Sequence, residues 1–367
     1  MRGLVVFLLL VGLGFCPVAF GQTVSGHVFN EKGEPLPGVS VYVNGTTLGV
    51  DTDAEGRFSL SYKDVLQAVL VFTKLGYQSN YLVDVAGITD LQVTLQPKYI
   101  EIEEVAIEGI FTRKQLLKLF KARFLGVDVA GKQCKIENER ELVLSYDYAD
   151  SRLSVVSRQP LKIVNRYLGY TLQVNLHEFY AISKHNSIDP RNVVSDYYKA
   201  TVFFVDDKNG KQPYGYRRER SYLGSQMHFF RTLWKDQFLA DQFLLLDGTH
   251  LVNPDSVFGV SDTLNMKRVK IRASTNNPVT MDSKGYLYAV IPSAGEPIHA
   301  SYTLIYRKKQ SSLCVFRTSD FLIVSYGNHS AADKIQFDGE MASSRVGNLL
   351  PFNYWMEEAI IPVIDEN

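Results

Sequence analysis

The sequence predicts a mainly β protein, with a small β-sandwich followed by a larger antiparallel β-rich domain that contains one or two inserted helices. Aromatic residues that favour strands are abundant, with 21 Tyr and 21 Phe among 367 residues. Short stretches of alternating apolar and polar residues recur along the chain, and Gly, Pro, Asn and Asp separate them. The length suggests about two domains.

The first residues have the pattern of an export signal. A short basic head precedes the apolar run Leu4–Phe15, and a small-residue pattern ends at Gly21. This arrangement predicts a signal peptide over residues 1–21 that is cleaved between Gly21 and Gln22. A membrane anchor would need about 20 apolar residues. A lipid anchor on Cys16 would need a small residue where Phe15 stands. We therefore expect an exported chain.

Charge and cysteine content limit the partners and the redox chemistry. The chain has 39 basic and 39 acidic residues, and a nucleic-acid partner would require a basic surface. Two cysteines follow the predicted signal, Cys134 and Cys314. In an oxidising compartment they can form one disulfide, but a free cysteine is also commonly a small buried apolar residue. The sequence leaves both alternatives open.

The region from residue 22 to residue 98 has regularly spaced strand patterns. Asn44-Gly45 is a strong hairpin signal between two of them. The predicted strands are Val24–Phe29, Val39–Val43, Thr47–Asp51, Arg57–Leu60, Ala68–Phe72, Tyr77–Val83 and Leu91–Leu95. Short strands at this spacing are typical of a small β-sandwich.

Several motifs give this region a family resemblance. They include Gly26-x-Val28-x-Asn30, the segment Gly33–Val39, Leu75-Gly76-Tyr77 and Leu91-x-Val93-x-Leu95. Together they resemble the carboxypeptidase regulatory-like domain, which implies a transthyretin-like, seven-stranded sandwich. The same domain type stands at the front of outer-membrane TonB-dependent transporters, and Ile102–Gly109 is similar to the strand that joins it to their plug. We expect the residues after Gly109 to be too few for a plug and a large barrel.

The sequence predicts no catalytic residue, metal site or cofactor. A zinc carboxypeptidase would need His-x-x-Glu, and none of the seven histidines has Glu three residues later. The resemblance therefore implies a regulatory module without the enzyme.

A connecting strand and an amphipathic helix are predicted over residues 99–130. Within Thr112–Phe124, apolar residues recur at helical spacing. Three lysines, Lys114, Lys118 and Lys121, occupy another face. A solvated charge row is the favoured interpretation, and contact with an anionic membrane surface is the alternative.

The remaining residues, 131–367, predict a β-rich domain of unknown function. His177 lies on the polar face of the strand Tyr170–His177, where a solvated histidine is expected. The segments Lys132–Asn138, Pro160–Tyr170 and Tyr222–Arg231 resemble an uncharacterised region that follows the regulatory-like domain in a set of exported bacterial proteins. That resemblance implies no activity.

An inserted helix in this region supplies the predicted site. Apolar residues from Leu223 to Phe238 recur at helical spacing, and cationic residues lie on or before this helix. Guanidinium groups and a helix N-terminus favour anions, which suggests a pocket for a carboxylate or sulfated sugar. A surface charge cluster partly balanced by Glu219 and Asp236 is the favoured interpretation, and the cationic residues are the best candidate site. The candidate residues are Arg217, Arg218, Arg220, His228 and Arg231.

The leading functional hypothesis is a non-enzymatic binding or scaffolding protein of the periplasm or outer-membrane surface. An envelope protein, a peptide or a glycan is the expected partner, and no nucleic acid is expected. One alternative is a hydrolase that uses His228 and scattered carboxylates. Another is a small outer-membrane barrel.

Overall fold

The computed structural model describes residues 22–62, 68–83, 85, 87–98, 109–207, 214–281, 285–289 and 297–354. The predicted signal peptide with Gly21 and Cys16, and Ile102–Glu108 of the connecting strand, lie outside the described residues.

The first domain is a β-sandwich, and all of its predicted strands are present. One sheet has the order β4-β1-β7, with β1 parallel to β7, and the other has the order β3-β2-β5-β6. Buried side chains such as Val28, Val41, Phe58 and Phe72 form the core between the sheets. The strands are β1 (Gln22–Phe29), β2 (Ser40–Val43), β3 (Gly49–Asp51), β4 (Arg57–Tyr62), β5 (Leu70–Thr73), β6 (Asn80–Leu82) and β7 (Leu91–Thr94).

The described residues between 109 and 354 form what we call the body, which begins with a helix packed on a sheet. The first helix starts where predicted, because Thr112 and Gln115 form a reciprocal capping box. The elements are α1 (Arg113–Phe124), α2 (Val129–Lys132), β8 (Cys134–Ile136), β9 (Leu142–Asp147), β10 (Arg152–Ser157), β11 (Leu161–Asn165), β12 (Tyr170–Ser183) and β13 (Val193–Asp206).

The long strand β12 organises this sheet. Strands β11 and β10 pair with successive parts of one edge of β12, and β13 pairs with its other edge. Helix α1 covers the sheet, and its Phe120 and Phe124 rings meet Phe179 of β12 edge-on at centroid distances of 4.9 and 6.1 Å. These contacts bury the apolar face of the helix and hold it on the sheet.

The rest of the body has a second hydrophobic core. It surrounds Phe229, Phe230 and Leu233, which are separate from the core beneath α1. The helices are α3 (Gly215–Tyr222), α4 (Gln226–Lys235) and α5 (Glu340–Ser343). The strands are β14 (Phe243–Asp247), β15 (His250–Val252), β16 (Phe258–Thr263), β17 (Met266–Ile271), β18 (Val279–Met281), β19 (Leu287–Ala289), β20 (Ala300–Tyr306), β21 (Gln310–Phe316), β22 (Asp320–Ile323) and β23 (Ile335–Gly339).

One sequence prediction about the body changes in detail. The helix predicted from Leu223 to Phe238 is the shorter α4, which begins at Gln226 because the Ser225 hydroxyl accepts a hydrogen bond from the His228 amide. The separate helix α3 ends just before the predicted range. The predicted boundaries at residues 98 and 130 stay predictions. No helix in the described ranges has the length and apolar character needed to cross a bilayer.

A buried carboxylate joins the first and last parts of the body. Asp196 of β13 accepts hydrogen bonds from Arg123 of α1 and from Arg345, whose Nη1 lies 2.9 Å from Oδ1. The Asp196 side chain is only 9% exposed. Two guanidinium groups therefore depend on one carboxylate that is largely removed from water.

We expect Asp196→Asn to lower the free energy of unfolding by about 3 kcal/mol, because it leaves two arginines without their buried counter-charge. Urea unfolding of the full chain measures this change. Asp189→Asn is the matched control, since Asp189 pairs with an Arg191 side chain that is 88% exposed. Equal unfolding midpoints for the two variants would contradict the assignment.

Candidate functional site

The first domain is joined to the body through the turn Asn44–Thr47, which we call the junction turn. The Gly45 amide donates to the Val202 carbonyl at 2.7 Å, and the Phe204 amide donates to the Thr46 carbonyl at 3.0 Å. The Asn44 side chain also accepts from the Val202 amide at 2.8 Å. The junction turn thus hydrogen-bonds to the free edge of β13.

The other side of the junction turn meets the last described residues of the chain. The Phe352 amide donates to the Gly45 carbonyl at 2.7 Å. The Asn353 side chain accepts from the Thr47 amide at 3.0 Å and donates to the Thr47 hydroxyl at 2.7 Å. The turn is therefore held between β13 and residues 344–354, which we call the C-terminal segment.

A tyrosine of the first domain completes this junction. Tyr42 stacks on Phe203 with a centroid distance of 4.9 Å, and its hydroxyl accepts from the Asn175 amide at 3.0 Å. Burial raises the pKa of Tyr42 to about 12. Asn175 lies on the face of β12 that the sequence predicted to be polar, and Tyr42 buries it.

A cavity of about 370 Å³ lies beside the junction turn, and we call it the junction cavity. Its lining is mainly apolar, and none of its described lining residues is charged. Such a cavity, with a few convergent polar groups, is typical of a ligand site. The lining residues are Asn44, Gly45, Tyr198, Ala200, Val202, Phe204, Ser221, Ser225, Gln226, Met227, Ser344, Asn348, Leu349, Leu350 and Phe352.

Arg218 has a buried set of partners. Its guanidinium donates to the Leu168 carbonyl at 2.8 Å and pairs with Asp206 at 2.7 Å. It also lies 3.9 Å from the centre of the Tyr170 ring. These contacts fasten α3 to the turn before β12.

Arg231 binds the C-terminal segment. Its guanidinium donates to the carbonyls of Phe352 and Tyr354 at 2.8 and 3.0 Å, and to the Tyr326 carbonyl at 3.0 Å. The residue is 4% exposed. It therefore holds the segment that contacts the junction turn.

His228 is enclosed at the start of α4. The residue is 4% exposed, its Nδ1 accepts from the Gly224 amide at 3.1 Å, and its Nε2 lies 3.7 Å from Asp241. Burial lowers its pKa to about 4. The imidazole is therefore neutral near pH 7.

None of the predicted cationic residues is among the described residues that line the junction cavity. Arg217 lies 5.3 Å over the Tyr167 ring, and Arg220 is exposed on α3. The hypothesis that these residues bind an anion stays a prediction. The nearby residues Ser225, Gln226 and Met227 line the junction cavity instead. No periodicity distinguished them, because their shared environment is set by packing against the C-terminal segment.

The two cysteines are free thiols in different cores. Cys134 packs against the core beneath α1, whereas Cys314 is fully buried in the core around α4. The disulfide alternative is therefore not realised in this structure. Burial raises the pKa of Cys134 to about 12. Within the described part of the chain, no group of three His, Cys, Asp or Glu side chains is placed to hold a metal ion.

The junction turn predicts a specific sensitivity to a methyl group. Gly45 has a φ of +76°, and a Cβ there would lie 2.5 Å from the Phe352 ring. We expect Gly45→Ala to lower the free energy of unfolding by about 3 kcal/mol, through backbone strain and displacement of Phe352. Chemical denaturation measures it, and hydrogen exchange should locate the loosening in the C-terminal segment.

Gly33→Ala is the matched control for that variant. Gly33 has a φ of +78° but nothing within 4 Å of the added Cβ. We expect a cost of about 1 kcal/mol from strain alone. If both variants lost the same free energy of unfolding, the contact with Phe352 would not contribute to the cost of Gly45→Ala.

The buried His228 predicts a pH dependence. The folded pKa of His228 is about 4, below the ordinary 6.5. Between these pH values the histidine is protonated in the unfolded chain and neutral in the folded chain. The stabilising contribution of the neutral histidine to the free energy of unfolding is full above pH 6.5. It falls by up to about 3 kcal/mol as the pH is lowered to about 4. We expect His228→Asn, which keeps an acceptor for Gly224, to flatten this part of the stability profile. Urea unfolding from pH 7 to pH 4 tests it, and parallel profiles would contradict it.

Comparisons with known proteins concern the first domain. The family model of the CarboxypepD_reg-like domain matches residues 24–107. A TonB-dependent receptor of Formosa agariphila is 34% identical over 112 residues, which are 30% of this chain and 11% of that receptor. The TonB-dependent receptor SusC of Bacteroides thetaiotaomicron is 36% identical over 107 residues, or 29% of this chain and 10% of SusC.

Among solved structures, a type II cohesin–X-dockerin complex from Acetivibrio cellulolyticus contains a chain with 21% identity and a TM-score of 0.20. That match covers 30% of this chain and 79% of the other. The low TM-score supports no inference. The chain spans only about a tenth of the length of the receptors that it matches. Its first domain is a CarboxypepD_reg-like domain.

Proposed function

We propose that this chain is an exported, non-enzymatic binding or scaffolding protein at the outer membrane or in the periplasm of a Gram-negative bacterium. Its CarboxypepD_reg-like domain is shared with TonB-dependent receptors. The predicted signal peptide agrees with that compartment. Both observations support an envelope location.

The observation that carries the proposal is the junction between the first domain and the body. Backbone hydrogen bonds reach the junction turn from β13 and from the C-terminal segment. A domain held in this way is a fixed part of one surface, unlike a module on a flexible linker. A fixed surface suits a scaffold, because little conformational freedom is lost when a partner binds.

The junction cavity supplies the binding site in this proposal. Because its described lining is uncharged and mainly apolar, it favours an uncharged apolar group. Serine, glutamine and asparagine side chains around it can hydrogen-bond to a neighbouring backbone. We therefore favour a peptide segment of an envelope protein that inserts an apolar side chain.

A cavity-filling variant tests this assignment. Ala200 of β13 lines the cavity, so Ala200→Phe should fill it. We expect crosslinking in envelope fractions to capture a defined envelope protein with the wild-type chain, and at least tenfold less of it with Ala200→Phe. Thermal unfolding of both chains checks that the variant is folded.

Val194→Phe is the control, since Val194 lies on the same strand but is 57% exposed. It should capture the partner as the wild type does. Capture of no envelope protein, together with measurable hydrolysis of peptides or glycans, would contradict the proposed function. If Ala200→Phe and Val194→Phe captured the partner equally well, the junction cavity would not be the binding site.

A further inference from the structure

A second space lies between the first domain and the body, away from the junction cavity, and it has the opposite chemistry. Its volume is about 210 Å³. The first domain contributes Gln78, Ser79, Tyr81 and Lys98, and the body contributes residues from β10, β12 and the loop after β10. We call it the polar cleft.

The body side of the polar cleft is also polar. It consists of Ser157, Gln159, Asn175, Leu176 and His177. Leu176 is the one aliphatic side chain among the described lining residues. The other groups are amides, hydroxyls, an imidazole, a phenol and an ammonium, which together offer both donors and acceptors.

Several of these groups retain hydrogen-bonding capacity. Within the described part of the chain, the side-chain amides of Gln78 and Gln159 and the His177 ring make no hydrogen bond. Lys98 donates to the Arg158 carbonyl, and its ammonium has two further donors. The His177 ring meets the Tyr81 ring edge-on at 5.2 Å, which holds it at the side of the cleft.

The charge of the polar cleft is positive. Lys98 contributes the one cationic group, and no described lining residue is a carboxylate. Burial lowers the pKa of Lys98, and the nearby Glu141 partly offsets this effect. Burial and the nearby Lys199 and Lys98 lower the pKa of His177, so this ring is neutral near pH 7. The cleft therefore has one cationic group surrounded by neutral donors and acceptors.

We infer that the polar cleft binds a small hydroxylated carboxylate of the sugar-acid class, with its carboxylate on Lys98 and its hydroxyls on Gln78, Gln159 and His177. An ammonium binds a carboxylate as a point charge. Amide and imidazole groups pair with hydroxyls that both donate and accept. The volume suits one pyranose ring. This site is separate from the junction cavity and does not depend on its partner.

Calorimetric titration of the full chain with glucuronate tests the inference. Glucose keeps the hydroxyls without the carboxylate, and acetate keeps the carboxylate without the hydroxyls. We expect glucuronate to bind, with glucose and acetate at least tenfold weaker. We also expect it to raise the thermal unfolding temperature, because the cleft spans two domains.

Two variants and one control assign the site. Lys98→Met and Gln159→Ala should each weaken glucuronate binding at least tenfold. Lys74→Met is the control, because the Lys74 ammonium also donates to a backbone carbonyl, that of Pro37 at 2.7 Å, but lies outside the cleft. It should leave the affinity unchanged.

The inference is overturned if glucuronate does not bind at millimolar concentration, or if acetate or glucose binds as tightly. It is also overturned if Lys74→Met weakens binding as much as Lys98→Met. Gln159→Ala keeps the test decisive if Lys98→Met does not fold, since unchanged affinity in the glutamine variant would place the ligand elsewhere.

Discussion

The hydrogen bonding of the junction turn is the constraint on which the arrangement of the chain depends. Backbone donors and acceptors that leave water need partners. The Gly45 amide and the Thr46 carbonyl find them on β13, and the Gly45 carbonyl finds one on the C-terminal segment. Neither partner belongs to the first domain. The junction turn of the first domain therefore finds its backbone hydrogen-bond partners on the β12–β13 sheet and on the last described residues. The junction cavity lies where these three parts meet.

The buried arginines support the same arrangement. A guanidinium has five donors in a fixed plane, so it can bridge several carbonyls at once. Arg231 uses this property to connect α4 with Phe352 and Tyr354. Arg345 connects the same segment to Asp196 of β13. The C-terminal segment has few regular hydrogen bonds of its own, and these arginines give it a defined path past the junction turn. Arg231 and Arg345 thus act here as cross-links within the protein.

Local patterns predicted local structure well. The strands of the first domain follow from alternation, and α1 begins at Thr112 because its cap is encoded within four residues. Asn44-Gly45 was recognised as a turn, but its partner Val202 is distant in sequence, and no local signal marks such a pair. The sequence places Asn175 on a polar strand face and Arg231 in a candidate anion site. It predicts neither residue to be buried, because their burial is decided by elements that pack on them from elsewhere. The helix predicted from Leu223 begins only at Gln226, because Ser225 is a cap that the apolar spacing concealed.

The two spaces between the domains have consequences for how binding and domain docking are linked. The junction cavity and the polar cleft each take lining residues from the first domain and from the body. Any ligand that contacts both sides must favour the docked arrangement, and docking must equally favour the ligand, because coupling free energies are reciprocal. The domain type is shared with larger receptors, but these contacts belong to this chain's own body. In the proposed binding function, specificity is expected to arise where Asn44–Thr47 and Gln78–Tyr81 meet β12 and β13, more than in the fold of the first domain itself.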